Sequence, residues 1–269
     1  MLSRKVGIVG CGNMGEILLR GLVEGKIVDK KSIIVSEKRK ERLSCLETQY
    51  SQVSFRSDNL YLVRNSQVIL VAVKPQDMEI LLGEIAPYLR TSHLIISIAA
   101  GIRLSFIEKK VSKTVPIIRV MPNLPALIGE GISAYCVSEA VSDGDEKVVK
   151  EIFGSIGKVL KLQEEVMDAV TALSGSGPAY LFYMLEGMIE AGKELGLGVE
   201  ESRFLSLQTI LGSARMVEKG EDPALLREKV TSPRGTTEAA LRVLMRKKWK
   251  EILIQAIKKA EQRSKELSK

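Results

Sequence analysis

The sequence is poor in the residues that build metal sites and covalent staples. It has three cysteines, Cys11, Cys45 and Cys136, and a single histidine, His93. The cysteines lie far apart with no ligand spacing. That excludes a disulfide framework and the usual kind of zinc site, and gives the expectation of no metal and a reducing, cytoplasmic setting. His-dependent triads need His93, whose flanks, Ser92 and Leu94-Ile95-Ile96, read as the approach to a strand, so it is expected to be structural. No apolar run comes near the roughly 20 residues of a membrane-spanning helix. The first residues show no apolar leader core, so neither a membrane nor secretion is expected. Internal repeats and low-complexity tracts are lacking as well.

What is present is ordinary globular composition: 269 residues, 45% hydrophobic and 27% charged, with a net charge of +7. That length suggests two domains. The positive balance leaves room for an anionic partner, but no recognition motif points to nucleic acid. The basic C-terminal stretch of Arg246, Lys247, Lys248, Lys250, Lys258 and Lys259 alternates with core-type residues and reads as the solvated face of a helix.

The two halves of the chain differ. Residues 5–9, 32–35, 68–73, 94–98 and 117–120 are short, β-branched and mostly apolar, and helical patterns separate them. Such runs belong to strands buried on both faces, hence to a mostly parallel sheet of βαβ units, with residues 132–137 as one more strand. After residue 163 the spacing is helical throughout, over residues 178–195, 200–219, 223–230, 236–246 and 249–269. The expected fold is α/β. A Rossmann-type dinucleotide-binding domain spans residues 1–163, and an all-α domain spans 164–269.

Gly10-Cys11-Gly12-Asn13-Met14-Gly15 is G-x-G-x-x-G between the first strand and the first helix. The first glycine permits a tight turn, the second a close approach of backbone to a pyrophosphate, and the third close packing of helix on strand. Glu37 follows the second strand at the distance where an acid accepts hydrogen bonds from a ribose, which favours NAD. Its neighbours Lys38 and Arg39 favour the 2′-phosphate of NADP, so the sequence leaves the choice open. Ala72-Val73-Lys74-Pro75, Ile98-Ala99-Ala100-Gly101 and Met121-Pro122-Asn123 end three further strands. They therefore belong on the rim where such folds bind ligands. Asn123 offers both a donor and an acceptor on a stiff, proline-flanked loop. In the helical half, Leu173-Ser174-Gly175-Ser176-Gly177-Pro178 and Thr231-Ser232-Pro233-Arg234-Gly235-Thr236-Thr237 each lead into a helix, and the second offers free amides to a carboxylate.

This set of motifs, in this order over nearly the whole chain, resembles pyrroline-5-carboxylate reductase. The resemblance implies reduction of the cyclic imine 1-pyrroline-5-carboxylate to L-proline with NADPH or NADH, the last step of proline biosynthesis. It implies a Rossmann domain followed by a dimerisation domain, in a homodimer with interleaved helical domains or a higher assembly built from it. Carried over, it places Val9, Gly10, Cys11, Gly12, Asn13, Met14, Glu37, Lys38, Asn59, Ala72, Val73, Lys74, Pro75, Ala99 and Ala100 around the dinucleotide. It places Glu164, Ser232, Gly235, Thr236 and Thr237 at the anionic imine substrate, with Thr237 catalytic through a hydrogen bond to the ring nitrogen. Arg234 stands where the family usually has glycine, and Leu124 where a threonine is common. The alternatives are a non-catalytic or altered-substrate NAD(P)-binding paralogue, and a β-hydroxyacid dehydrogenase relative using Lys193, whose surroundings do not complete that motif.

Overall fold

The structure, a computed structural model, describes residues 1–111 and 114–267. Its strands are β1 (Val6–Val9), β2 (Ile33–Ser36), β3 (Ser54–Arg56), β4 (Val68–Val71), β5 (Leu94–Ser97), β6 (Ile117–Met121), β7 (Gly131–Val137) and β8 (Gly157–Lys161). They form one eight-stranded sheet in the order β3-β2-β1-β4-β5-β6-β7-β8. Neighbours run parallel except β6 and β7, which pair antiparallel. The apolar runs read from the sequence are the central strands. β1, β2, β4 and β5 are buried at every position. Successive side chains feed opposite faces: Leu70 packs in one hydrophobic cluster, while Ile69 and Val71 pack in the other. A core on both faces is what a parallel sheet requires, at roughly 1.5–3 kcal/mol for each large aliphatic side chain removed from water.

Two strands escape the sequence reading, and both lie at the sheet's edges. β3 is three residues long with only Phe55 buried, and β8 carries Lys158, Leu160 and Lys161 exposed. An edge strand has one pairing partner and a partly solvated face, so it shows no apolar run.

The helices are α1 (Asn13–Glu24), α2 (Lys40–Gln49), α3 (Asn59–Asn65), α4 (Met78–Ile85), α5 (Leu104–Lys110), α6 (Asp143–Gly154), α7 (Met167–Val170), α8 (Gly177–Glu194), α9 (Val199–Glu218), α10 (Pro223–Lys229), α11 (Thr236–Arg246) and α12 (Trp249–Leu267). A π-helical turn, Thr171–Gly175, lies between α7 and α8. The last two residues of the expected C-terminal helix, 268 and 269, lie outside the described residues.

The chain packs as two compact units, Met1–Ser176 together with the chain from Ala260 on, and Gly177–Lys259. Residues 164–176, which the sequence reading assigns to the helical domain, fall in the first of these units: Met167 and Ala172 are buried, and Met167 joins the cluster containing Ile69. Ser264 also belongs to the first unit, where its hydroxyl donates to the Asp168 carboxylate at 2.6 Å. The second unit is helical and carries large apolar side chains on its surface, with Tyr183 80% and Phe204 70% exposed.

Candidate active site

A cavity of about 800 Å³ opens beyond the carboxyl ends of the central strands. β1 sits between β2 and β4, where the strand order reverses, the position at which open α/β sheets take ligands. Gly10 turns out of β1 with φ of +83°, and a Cβ there would lie 2.9 Å from the Ala72 carbonyl oxygen. At Gly15 a Cβ would lie 2.3 Å from the Gly10 carbonyl oxygen, so only glycine lets α1 approach the end of β1 this closely. Gly12 is the N-terminal cap residue of α1, and no side chain caps the helix. The amides of the first turn, at the positive end of the helix, are therefore open to an anion. These residues fit a dinucleotide's pyrophosphate by shape and by charge.

Of the residues expected at the dinucleotide, all but Cys11 line this cavity. Cys11 is fully buried, and burial pushes its thiol up to about 12. Its backbone N–H donates to Glu37 Oε2 at 3.1 Å. Asn59, at the start of α3, ties the rim together: Ser36 Oγ donates to its Oδ1 at 2.7 Å, and its Nδ2 donates to Glu84 Oε2 at 2.9 Å. Lys74 is extended (φ −68°, ψ 150°), as the following proline dictates. Beyond the residues that the resemblance placed around the dinucleotide, the cavity is lined by Ser36, Arg39, Gln76, Met121 and Pro122 among others. Met121 and Pro122 were visible as the end of a strand, whereas Gln76 carried no signal in the sequence.

The acid and the base that competed in the sequence are bound to each other. Glu37 Oε1 accepts the backbone N–H and the Nε–H of Arg39, each at 3.0 Å, and Oε2 accepts Nη2 at 3.0 Å besides the Cys11 amide. A carboxylate has about four acceptor sites, and here four donors occupy them. Burial acts to raise the Glu37 carboxyl, but the Arg39 and Cys11 hydrogen bonds outweigh it and hold the group below the usual carboxylate range. Arg39 keeps Nη1 and one further N–H uncommitted to Glu37, and its side chain is 65% exposed. Its Nη2 lies 4.0 Å from where a Cβ of Gly12 would stand, beside the glycine turn.

Glu164 lies in a short 3-10 turn, Glu164–Val166. Its Oε1 accepts the Leu104 backbone N–H at 2.7 Å and Arg119 Nη1 at 3.2 Å. The Arg119 side chain is only 4% exposed. Glu164 thus ties the middle of β6 to the start of α5, just beyond the Ala99-Ala100-Gly101 loop. Glu164→Gln keeps an acceptor for Leu104 but leaves the buried guanidinium without its countercharge. It is expected to cost about 3 kcal/mol of stability, read as a thermal midpoint lowered by several degrees. A midpoint unchanged from the parent contradicts that role.

In the second unit, Thr231-Ser232-Pro233-Arg234-Gly235 leads into α11. Gly235 is the N-terminal cap residue and no side chain caps the helix. Ser232 packs under Gly235, where a Cβ would meet Ser232 Oγ at 2.2 Å. Arg234 takes φ of +59°, in the left-handed region that glycine favours. Its backbone N–H donates to Glu238 Oε2 at 2.5 Å, and Arg242 Nη2 donates to Glu238 Oε1 at 2.9 Å. Arg234 thus holds a left-handed backbone conformation, tied down by Glu238. Thr236 and Thr237 form the first turn, with Thr237 half-buried.

The remaining sequence expectations can be placed briefly. His93 is buried, its Nδ1 accepts the Arg90 backbone N–H at 2.8 Å, and burial lowers its pKa, so it is a neutral structural residue. Cys136 is buried beside Arg119 in the β6–β7 ladder, and burial pushes its thiol to about 12. Among the described residues there is no cluster of three or more His, Cys, Asp or Glu side chains that could hold a metal ion, and no helix is long and apolar enough to cross a membrane.

Comparison with known proteins decides the family. A family model described as pyrroline-5-carboxylate reductase dimerisation matches residues 164–267, and one described as NADP oxidoreductase, coenzyme F420-dependent, matches residues 5–101. The pyrroline-5-carboxylate reductase of a Synechocystis strain is 39% identical over 269 residues, covering 100% of both chains. The chain belongs to the pyrroline-5-carboxylate reductase family. The reductase 1 of Bacillus spizizenii is 39% identical over 268 residues, covering 99% of this chain and 90% of its own. A crystal structure of the Plasmodium falciparum reductase with NADP bound matches with a TM-score of 0.91 at 36% identity, over 100% of both chains. A reductase structure from Coxiella burnetii matches with a TM-score of 0.91 at 34% identity, over 100% of both chains. The helical half of this pyrroline-5-carboxylate reductase family member thus matches a domain described by its dimerisation.

Proposed function

We propose that the chain reduces 1-pyrroline-5-carboxylate to L-proline, with NADPH preferred to NADH, as a homodimer assembled through its helical halves. The reaction class follows from family membership together with a cavity built for a dinucleotide. The single observation that carries the cofactor preference is the saturated Glu37 carboxylate. A ribose diol needs an acceptor there and meets one already filled by Arg39 and Cys11. A 2′-phosphate needs donors and meets the outward N–H groups of Arg39, beside Lys38 on the same rim.

NADPH, when bound, supplies the hydride to the imine carbon. The chain's own part is positioning and electrostatics. The uncapped first turn of α1 holds the pyrophosphate. The small residues Ala99 and Ala100 leave the floor of the cavity flat enough for a ring. The uncapped start of α11 holds the substrate carboxylate, with Ser232, Gly235 and Thr236 forming its cradle. The Thr237 hydroxyl hydrogen-bonds the ring nitrogen, and the proton that nitrogen takes up as the hydride reaches the carbon comes from solvent water. We read Glu164 as holding that floor through Leu104 and Arg119 rather than as a ligand of the substrate. The exposed apolar faces of α8 and α9 are the surface a second copy covers.

The test is an assay following loss of NADPH absorbance in the presence of pyrroline-5-carboxylate. Oxidation dependent on the imine, faster with NADPH than with NADH at equal concentration, is the expected result. Silence with both cofactors, despite their binding, would identify a non-catalytic paralogue and overturn the reading.

A further inference from the structure

We infer that Asn123 is a positioning residue for this reduction, latching the π-helical turn Thr171–Gly175 to the wall of the cofactor cavity. The inference rests on the reductase reading above and adds to it a residue outside the cavity lining. The need for a latch follows from the sequence. In a continuing α-helix the carbonyl of Ser174 would accept the N–H of residue 178, which is Pro178 and has none. The turn closes instead by a wider bond, the Ser176 N–H donating to the Thr171 carbonyl at 2.9 Å. With no N–H at residue 178, the Ser174 carbonyl takes its donor from elsewhere. Asn123 supplies it: Nδ2 donates to Ser174 O at 3.2 Å, while Oδ1 accepts the Ile132 N–H of β7 at 2.9 Å. The residue is buried, with an exposure of 9%.

A carboxamide is the side chain that meets both demands, one donor and one acceptor in a fixed plane. The consequence is geometric. Met121 and Pro122, the two residues before Asn123, line the cavity on the side of Ala99 and Ala100. Met121 also packs against the turn, where a Cβ on Gly175 would meet its Cε at 2.6 Å. The amide thus sets the register between the cavity wall and the turn, and π-helical turns recur at functional sites. Misplacement of about 1 Å in such a wall costs on the order of 100-fold in rate.

The test compares four chains: the parent, Asn123→Asp, Asn123→Ala and the double variant Asn123→Ala/Pro178→Ala. Asn123→Asp keeps the acceptor for Ile132 and loses the donor. It is expected to lower kcat at least tenfold with NADPH affinity, read by quenching of protein fluorescence, within about twofold of the parent. Its deficit relative to the parent should shrink as pH falls, because a protonated carboxyl donates to Ser174 again. In the double variant residue 178 regains an N–H for Ser174. Its thermal midpoint should recover from the loss seen in Asn123→Ala, while kcat stays low because the tie to the Met121 strand is not rebuilt. Recovery of kcat together with stability would show a purely structural role and overturn the inference. So would an undiminished kcat in Asn123→Asp. A parent chain that binds NADPH but never turns over counts against the reductase reading, and the stability arm still tests the latch.

Discussion

Arg39→Ala is expected to lower kcat/KM for NADPH about 30-fold and to raise that for NADH several-fold, with kcat nearly unchanged for both. A charge-assisted hydrogen-bond pair to a phosphate contributes about 1.5–3 kcal/mol, which corresponds to roughly 10–150-fold in affinity. The gain with NADH has a separate cause. Removing the guanidinium empties two of the four acceptor positions on Glu37 and leaves only the backbone N–H groups of residue 39 and Cys11 in place. The carboxylate then becomes the ribose acceptor that its place after β2 allows. Steady-state kinetics with each cofactor, alongside titration with adenosine 2′,5′-bisphosphate, measures both effects. Equal loss with the two cofactors would mean that Arg39 supports the loop and reads no phosphate. Glu37→Gln serves as the complement, loosening Arg39 without removing it, and should weaken NADPH binding less than Arg39→Ala does.

Thr237→Ala is expected to lower kcat about 100-fold, the usual scale for removing one donor aimed at charge that changes in the transition state. NADPH affinity and thermal stability should stay close to those of the parent. The hydroxyl caps no helix, since the cap position of α11 is Gly235 and no side chain caps it, and the residue is only half-buried. Thr237→Ser, which keeps the hydroxyl, should retain most of the parent's turnover. Full activity in Thr237→Ala would remove this residue from the mechanism. Substrate protection experiments would then have to look to the amides of α11 alone.

Much of the fold was legible because parallel strands buried on both faces leave continuous apolar runs. Residues such as Ile69-Leu70-Val71 name a central strand without help from any neighbour. Edge strands give no such signal, which is why Ser54-Phe55-Arg56 and the lysine-bearing β8 surfaced only in three dimensions. The cavity was legible for a related reason. In a parallel sheet every strand ends on the same side, so the residues after each strand converge whatever their identity. Gly10, Gly12 and Gly15 added a turn, an opening and a close approach that no other residue permits together. Specificity was not legible in the same way. Glu37 and Arg39 argue for opposite cofactors when read one at a time, and only the bidentate contact between them shows that the acid is consumed by the base. Asn123 is a further case. The sequence showed a donor and an acceptor on a stiff loop, but the carbonyl stranded by Pro178 lies 51 residues away in the chain and becomes visible only when the turn is folded against β6.

The most direct test of the account is a crystal structure of the chain with NADP+ and L-proline. The account predicts the pyrophosphate on the backbone amides at the start of α1, the 2′-phosphate against Arg39, and the proline carboxylate on the first-turn amides of α11 with its nitrogen within hydrogen-bonding distance of Thr237. Proline bound away from α11, or an adenosine ribose seated on Glu37 with Arg39 turned outward, would contradict it.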